Sequence, residues 1–373
     1  MRFVPRLLVS MTTLSLAAAC GGLLASCSRP GPVKLGFVGG LSGTYAPLGE
    51  AGRNGLLLAI EQQNAAGGIE GRLIELLVRD DAQNKANAQH AVDDLVAAGV
   101  TAIVGPMTDA MVAPALPRLE DKRIPLISPT ATSSEWAGKD DPLFRIMSTD
   151  PEYAALLADY AVRIKGLHSV ALLLEDGNRV YGESVSQSFR EALERQGGHV
   201  VQTLWFSNAE VHPERLVQEL MTSKPQAVMV VADPVYTERV LLMLHAADPK
   251  LQLLGDTADE RMLQRTGAAM EGYLATQPFN RDDPSTRYQT FVAAYTARFH
   301  QSVSVAAICA YDAGNVVVSA LRRKKASETL KDALLREGPF SGVQGDIVFD
   351  AFGDTHRQGY VVTVRNGKFA VVE

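Results

Sequence analysis

The side chains best placed to do chemistry sit in short loops that follow apolar, strand-like runs: residues 42–45, 107–109, 128–133, 177–181, 233–236 and 256–259. Their serine, threonine, tyrosine and aspartate groups are hydroxyl donors and carboxylate acceptors, suited to holding a small polar molecule. Signatures of bond-making chemistry fail one after another. Gly36-Phe37-Val38-Gly39-Gly40-Leu41-Ser42-Gly43 follows a strand as a dinucleotide loop does, but its spacing is not GxGxxG, and no GxxxxGK[ST] phosphate loop occurs. Neither a GxSxG elbow nor HExxH is present, and the seven histidines are scattered singly. Three cysteines without a CxxC provide neither a disulfide framework nor a zinc site. No enzyme, cofactor or metal is expected from these residues, although a triad assembled from distant positions stays open.

The elements that carry those loops alternate in period. Strand-like runs at 33–38, 73–78, 102–104 and 125–127 are separated by helical patterns at 50–64, 86–98 and 109–120. A second series follows Asp150, with helices at 152–165, 183–196, 213–223 and 235–247 between strands at 169–174, 199–204, 227–231, 251–254 and 272–276. Such alternation predicts βαβ units and mostly parallel sheets, and two series of similar size predict two lobes. The tail reads differently, as helices near 285–300, 306–323 and 327–337, then strands at 346–349, 360–364 and 369–372.

Composition narrows the partners. The 373 residues are 46% hydrophobic and 21% charged, ordinary globular values for a chain of about two domains. A net charge of −6 and only two tryptophans argue against a broad basic face or base-stacking platforms, so no nucleic acid is expected.

The N-terminus reads as a targeting segment. Arg2 and Arg6 precede an uncharged apolar stretch from Leu7 to Leu24, the layout of a secretory signal. Leu24-Ala25-Ser26-Cys27 resembles the bacterial lipobox, which makes Cys27 the lipidation site, residues 1–26 the signal peptide and 27–32 a tether. Cys20 competes but lacks the leucine three positions before it, and a retained signal-anchor helix is the other alternative. Loss of Arg2 and Arg6 takes the net charge from −6 to −8. Ser28 suggests the outer membrane. The mature chain then keeps Cys309 in an apolar run, a small buried hydrophobe.

A set of collinear segments resembles the leucine/isoleucine/valine-binding family of periplasmic solute receptors. It begins with Phe37-Val38-Gly39-Gly40-Leu41-Ser42-Gly43-Thr44-Tyr45-Ala46-Pro47-Leu48-Gly49-Glu50 and Asn54-Gly55. Asn64-Ala65-Ala66-Gly67-Gly68-Ile69-Glu70-Gly71-Arg72, Asp80-Asp81, Val104-Gly105-Pro106 and Ile127-Ser128-Pro129-Thr130-Ala131-Thr132 follow, then Phe144-Arg145 and a turn from Asp176 to Tyr181-Gly182-Glu183. The resemblance is strong over 33–185 and weaker to about 365. It implies the type I periplasmic-binding-protein fold: α/β, two Rossmann-like lobes with parallel sheets, joined by three hinge crossovers near Asp150, Pro278 and Thr355. Lobe one would be 33–150 plus 279–355, and lobe two 151–278 plus 356–373. It also implies a monomeric, lipid-anchored periplasmic receptor that delivers an amino acid or related amide or acid to the permease of an ABC importer. A sensory or regulatory lipoprotein of the same fold is the alternative.

Carried over by residue, Thr130 and Thr132 match positions that hold an amino acid's α-groups, and Tyr181 matches an aromatic covering the ligand. The family's carboxylate-binding serine aligns with Asp109, or with Thr108 if the alignment slips by one. Its ammonium-binding glutamate aligns near Thr257, beside Asp256. An aspartate in the serine position would repel a ligand carboxylate and favour a cationic or amide group. Tyr45, Tyr236 and Asp150 complete the candidate site, with Trp136 near its wall. Structural alternatives stand beside these roles: Asp109 opens a predicted helix as an N-cap, Thr132-Ser133-Ser134-Glu135 has capping-box spacing, and Asp150 could cap the helix after Pro151.

Overall fold

Long apolar runs bounded by glycine and aspartate become the interior strands of two sheets. The computed structural model describes residues 31–372 apart from 122, 208–211 and 257–258, so Cys27 and Thr257 lie outside the described residues. The first sheet uses β1 (Val33–Gly39), β2 (Ile74–Asp80), β3 (Ala102–Val104), β4 (Leu126–Ser128) and β5 (Leu143–Arg145). Its order is β2-β1-β3-β4-β5 and every pairing is parallel. Central strands are buried on both faces, which is why β3 reads as an unbroken apolar triplet and β4 as Leu-Ile before its buried Ser128, not as alternating patterns.

The second sheet draws on β6 (Ser169–Glu175), β7 (His199–Phe206), β8 (Ala227–Val231), β9 (Gln252–Gly255) and β10 (Leu274–Gln277). A small ribbon, β11 (Phe340–Ser341) with β12 (Asp346–Ile347), intervenes before β13 (Tyr360–Arg365) and β14 (Lys368–Val371). The seven-stranded order is β14-β13-β10-β9-β8-β6-β7, with β13 and β14 entering antiparallel. The chain therefore passes between the sheets three times: after β5, after β10 and before β13. Ser148 and Arg357, on the first and third passages, exchange hydrogen bonds of 3.1 and 2.6 Å and tie those strands of the hinge side by side.

Helices Thr286–Phe299, Val305–Arg323 and Leu330–Arg336 return to the first sheet, where Phe291, Ile308, Val317 and Leu334 join Leu35, Phe37 and Leu56 in one core. Cys309 is fully buried there. Helices Ala46–Ala65 and Val305–Arg323 pack closely. Gly55 sits against the backbone carbonyl of Ala307, and a Cβ at that position would overlap it. Gly55 is thus a packing requirement between two helices far apart in sequence. Gly55→Ala must push them apart, and overpacking of this kind typically costs about 1–3 kcal/mol. Urea denaturation of the variant is expected to show a lower midpoint with an unchanged m-value.

Candidate functional site

Parallel α/β sheets leave their ligand sites beyond the carboxyl ends of the strands, where loops lead into helices. Here the two sets of strand ends face each other across a cavity of about 160 Å³. That is the scale of a cavity of about 150 Å³ that accepts one benzene-sized molecule. Tyr45, Thr108, Asp109, Thr130 and Thr132 wall it from the first lobe, and Tyr181 and Asp256 from the second. Asp150 lines a smaller cavity of about 50 Å³ next to it, which shares Thr132, Tyr181 and Asp256 with the first.

Tyr236 departs from the expectation. It lies in the first turn of helix Pro234–Ala247, and its amide donates to the capping carboxylate of Asp233 at 2.8 Å. That position turns the ring into the second lobe's core, where it stacks on Phe206 with centroids 4.3 Å apart. Pro234, at the helix start, reaches the cavity instead.

The structural alternatives for Asp109, Thr132 and Asp150 are also corrected. Thr108 occupies the N-cap position of helix Asp109–Ala115, and Asp109 is the first helical residue. The Asp109 carboxylate, 1% exposed, reaches across to the loop after β4. It accepts hydrogen bonds from the amides of Thr132 (3.3 Å) and Ser133 (3.1 Å) and from Trp136 Nε1 (3.1 Å). Trp136 thereby supports the wall from behind without lining the cavity. The cap of the short helix Ser134–Trp136 is Ser133, whose hydroxyl accepts from the Glu135 amide, so no capping box starts at Thr132. Thr149 takes the N-cap position before Asp150, which leaves the Asp150 carboxylate with no capping role.

Glu175 was not singled out from the sequence, yet it lines the cavity and is buried. The readable signal was its place as the last residue of the apolar run β6, a strand carboxyl end like the others. Its Oε2 accepts from the Tyr45 hydroxyl (2.9 Å) and the Asp233 amide (2.7 Å). The first of these bonds spans the two lobes. Others do the same: Asn178 Oδ1 accepts from the Ala110 amide (2.9 Å), Gln83 donates to the Gly177 carbonyl (3.1 Å) and Arg261 to the Pro47 carbonyl (3.2 Å).

The site is rich in carboxyls and short of countercharge. Burial pushes Glu175 up to about 7, reinforced by nearby Asp233 and opposed by its hydrogen bonds. Burial likewise raises Asp109 to about 6 against the pull of three donors and of Arg145. Native carboxyls of this kind keep protons that the unfolded chain releases near its ordinary value of 4.5 for glutamate. Between those limits the native state binds more protons, so stability falls as pH rises from 4.5 to about 7. Glu175→Gln removes one such group. Denaturation midpoints measured across that range are expected to decline less steeply in the variant than in the wild type.

Comparison with known proteins agrees with this architecture. The family profile described as periplasmic binding protein matches residues 32–368. The leucine-, isoleucine-, valine-, threonine- and alanine-binding protein of Pseudomonas aeruginosa is 25% identical over 94% of this chain and 95% of its own length. The Leu/Ile/Val-binding protein of Escherichia coli is 25% identical over 72% and 74%. Among solved structures, the branched-chain amino acid transporter substrate binding protein LivJ of Streptococcus pneumoniae, in complex with isoleucine, superposes with a TM-score of 0.83. It is 27% identical and covers 91% of this chain and 99% of that one. A solute binding protein from R. palustris, in complex with benzoate, shares the fold with a TM-score of 0.83 at 21% identity, over 92% of this chain and 96% of that one. Two facing α/β lobes, three passages between them and a cavity at their strand ends are the family's architecture, and this chain belongs to the periplasmic binding protein family.

Proposed function

We propose that this protein is an extracytoplasmic receptor that captures one small polar molecule between its lobes and delivers it to the permease of an ABC importer. The observation that carries the reading is a single cavity walled by both lobes, with the lobes bridged directly at its rim by the Tyr45–Glu175 and Asn178–Ala110 bonds. A ligand touching both walls interacts with the closed arrangement more than with an open one, and that differential contact shifts the population to closed. The closed outer surface is then what a permease reads. The relatives named above bind branched-chain amino acids or an aromatic acid, so a ligand of comparable size suits the cavity.

A thermal-shift screen of the purified protein against amino acids, amides, amines and aromatic acids tests the reading. At least one class should raise the melting temperature, and calorimetry on that ligand should weaken by about 1–3 kcal/mol in Tyr181→Ala, the worth of a buried aromatic contact. Unchanged affinity would take Tyr181 out of the site, and silence across every class would count against the receptor reading.

The anchor is part of the same proposal. It rests on Leu24-Ala25-Ser26-Cys27, where diacylation of one cysteine supplies the two chains that stable membrane attachment needs. Cys27→Ser is expected to leave an unprocessed precursor, visible as a larger band that fractionates differently, while Cys20→Ser behaves as wild type.

A further inference from the structure

Several donors that could greet a ligand carboxylate are already spent inside the protein, although the Thr132 hydroxyl in the same wall is not. Thr130 Oγ1 donates to the Met107 carbonyl at 2.5 Å, and Thr108 Oγ1 donates to Gln83 Oε1 at 3.1 Å. The Thr132 amide donates to Asp109, which thus sets a carboxylate of the protein's own against this loop. Both cavity tyrosines are spent as well, Tyr45 on Glu175 and Tyr181 on Asp256. The lone arginine in the wall, Arg261, is shared between Asp259 and the Pro47 carbonyl.

Acceptors, by contrast, are in surplus. Asp150 is 2% exposed, and both its carboxylate oxygens are buried with no hydrogen bond of good geometry; the donors near them are the Ser184 hydroxyl and the Ser134 amide. Those donors are themselves joined, the Ser134 amide donating to Ser184 Oγ at 3.1 Å and the two hydroxyls lying 2.9 Å apart. The Tyr153 hydroxyl, on the same side cavity, is also buried, with Ser148 beside it and no hydrogen bond of good geometry. A buried carboxylate without a partner is expensive, and a cation placed against it removes that cost. A side cavity of about 50 Å³ is large enough for an ammonium group, since one water needs about 10–15 Å³. The main cavity beside it offers apolar wall from Leu48, Met147 and Val305.

We propose that the ligand is an organic amine without a free carboxylate, its ammonium seated against Asp150 in the side cavity and its hydrocarbon part in the main cavity. This assignment rests on the receptor reading and adds to it the charge of the ligand. The wall acids Asp109, Glu175 and Asp256 extend the same negative field over the cavity mouth, which concentrates cations and rejects anions. Asp109, which stands in the family's serine position, then acts as the element that excludes the carboxylate.

Calorimetry with wild-type protein and four probes tests the proposal: 3-methylbutylamine, leucinamide, leucine and benzoate. Both amines are expected to bind at least about tenfold more tightly than leucine, the scale of one charge-assisted hydrogen bond, and benzoate not at all. Asp150→Asn, close to isosteric, should weaken the amines by about tenfold or more while keeping the wild-type melting temperature or raising it. Leucine or benzoate binding as tightly as the amines overturns the cation assignment and leaves the receptor reading intact. Failure of both amines to bind, or amine affinity indifferent to Asp150→Asn, overturns it too. The receptor reading falls separately, through the broad screen described above.

Discussion

Arg145 is the residue on which the cleft is built. Its side chain is fully buried at the end of β5, donating through Nε to Asp354 at 2.8 Å and through Nη1 to the Ser133 carbonyl at 2.7 Å. Asp354 belongs to the last passage between the lobes, and Ser133 to the loop that carries Thr130 and Thr132. One guanidinium therefore fixes the cavity-facing loop relative to the hinge. Such a buried pair contributes little net stability as built, but removing one partner strands a charge at a cost of about 3–5 kcal/mol. Arg145 also lies near Asp109 and favours its charged form against burial. The loop is thus held from both sides, its carbonyl by a cation and its amides by a carboxylate.

This arrangement changes what the first lobe can offer. In a parallel α/β lobe the loop amides and helix starts at the strand ends are natural anion receivers. Here Asp109 takes the amides of Thr132 and Ser133, and the Thr108 and Thr130 hydroxyls turn inward. The family's scaffold is retained, and under the amine proposal it is the side chains that would set the sign of its recognition surface. Fold alone never specifies the ligand, and the side chains grafted onto it decide.

Much of the fold was legible because each element matches a simple period. The strand 227–231 coincides with β8, and the helix expected at 306–323 is Val305–Arg323 within one residue. Short elements escaped: β5 is three residues whose strand character comes from pairing with β4, and helix Glu260–Thr266 has no strong periodic face of its own. Strand-end logic placed Tyr45, Asp109, Thr130 and Tyr181 beside the cavity, because a parallel sheet sends every loop that follows a strand's carboxyl end to one edge. It misplaced Tyr236, since which way a first-turn side chain faces depends on the helix's rotation against Phe206, and no local sequence states that. It passed over Glu175 because a strand ending one residue later than its apolar run looks identical in sequence. Asp109 was ambiguous for the same kind of reason: its partners, Ser133 and Trp136, are more than twenty residues away.

Closure of the lobes and choice of ligand are one electrostatic problem. Asp109 belongs to the first lobe and Glu175 and Asp256 to the second, with Asp150 at the passage between them, so bringing the lobes together concentrates negative charge in a low-dielectric space. Like charges there repel far more strongly than in water. Protons relieve part of this, which is why burial lifts Glu175, Asp109 and Asp150 above the ordinary carboxyl range. A bound ammonium relieves it more directly, by replacing a repulsion that grows on closing with an attraction that also grows on closing. A ligand shifts a conformational equilibrium only by its differential interaction with the two states, and a cation maximises that difference in an acidic cleft. An anion of the same size would add to the repulsion and hold the lobes apart. The acids around the cavity would then couple ligand charge to closure, so that only a molecule of the right sign produces the surface a permease engages.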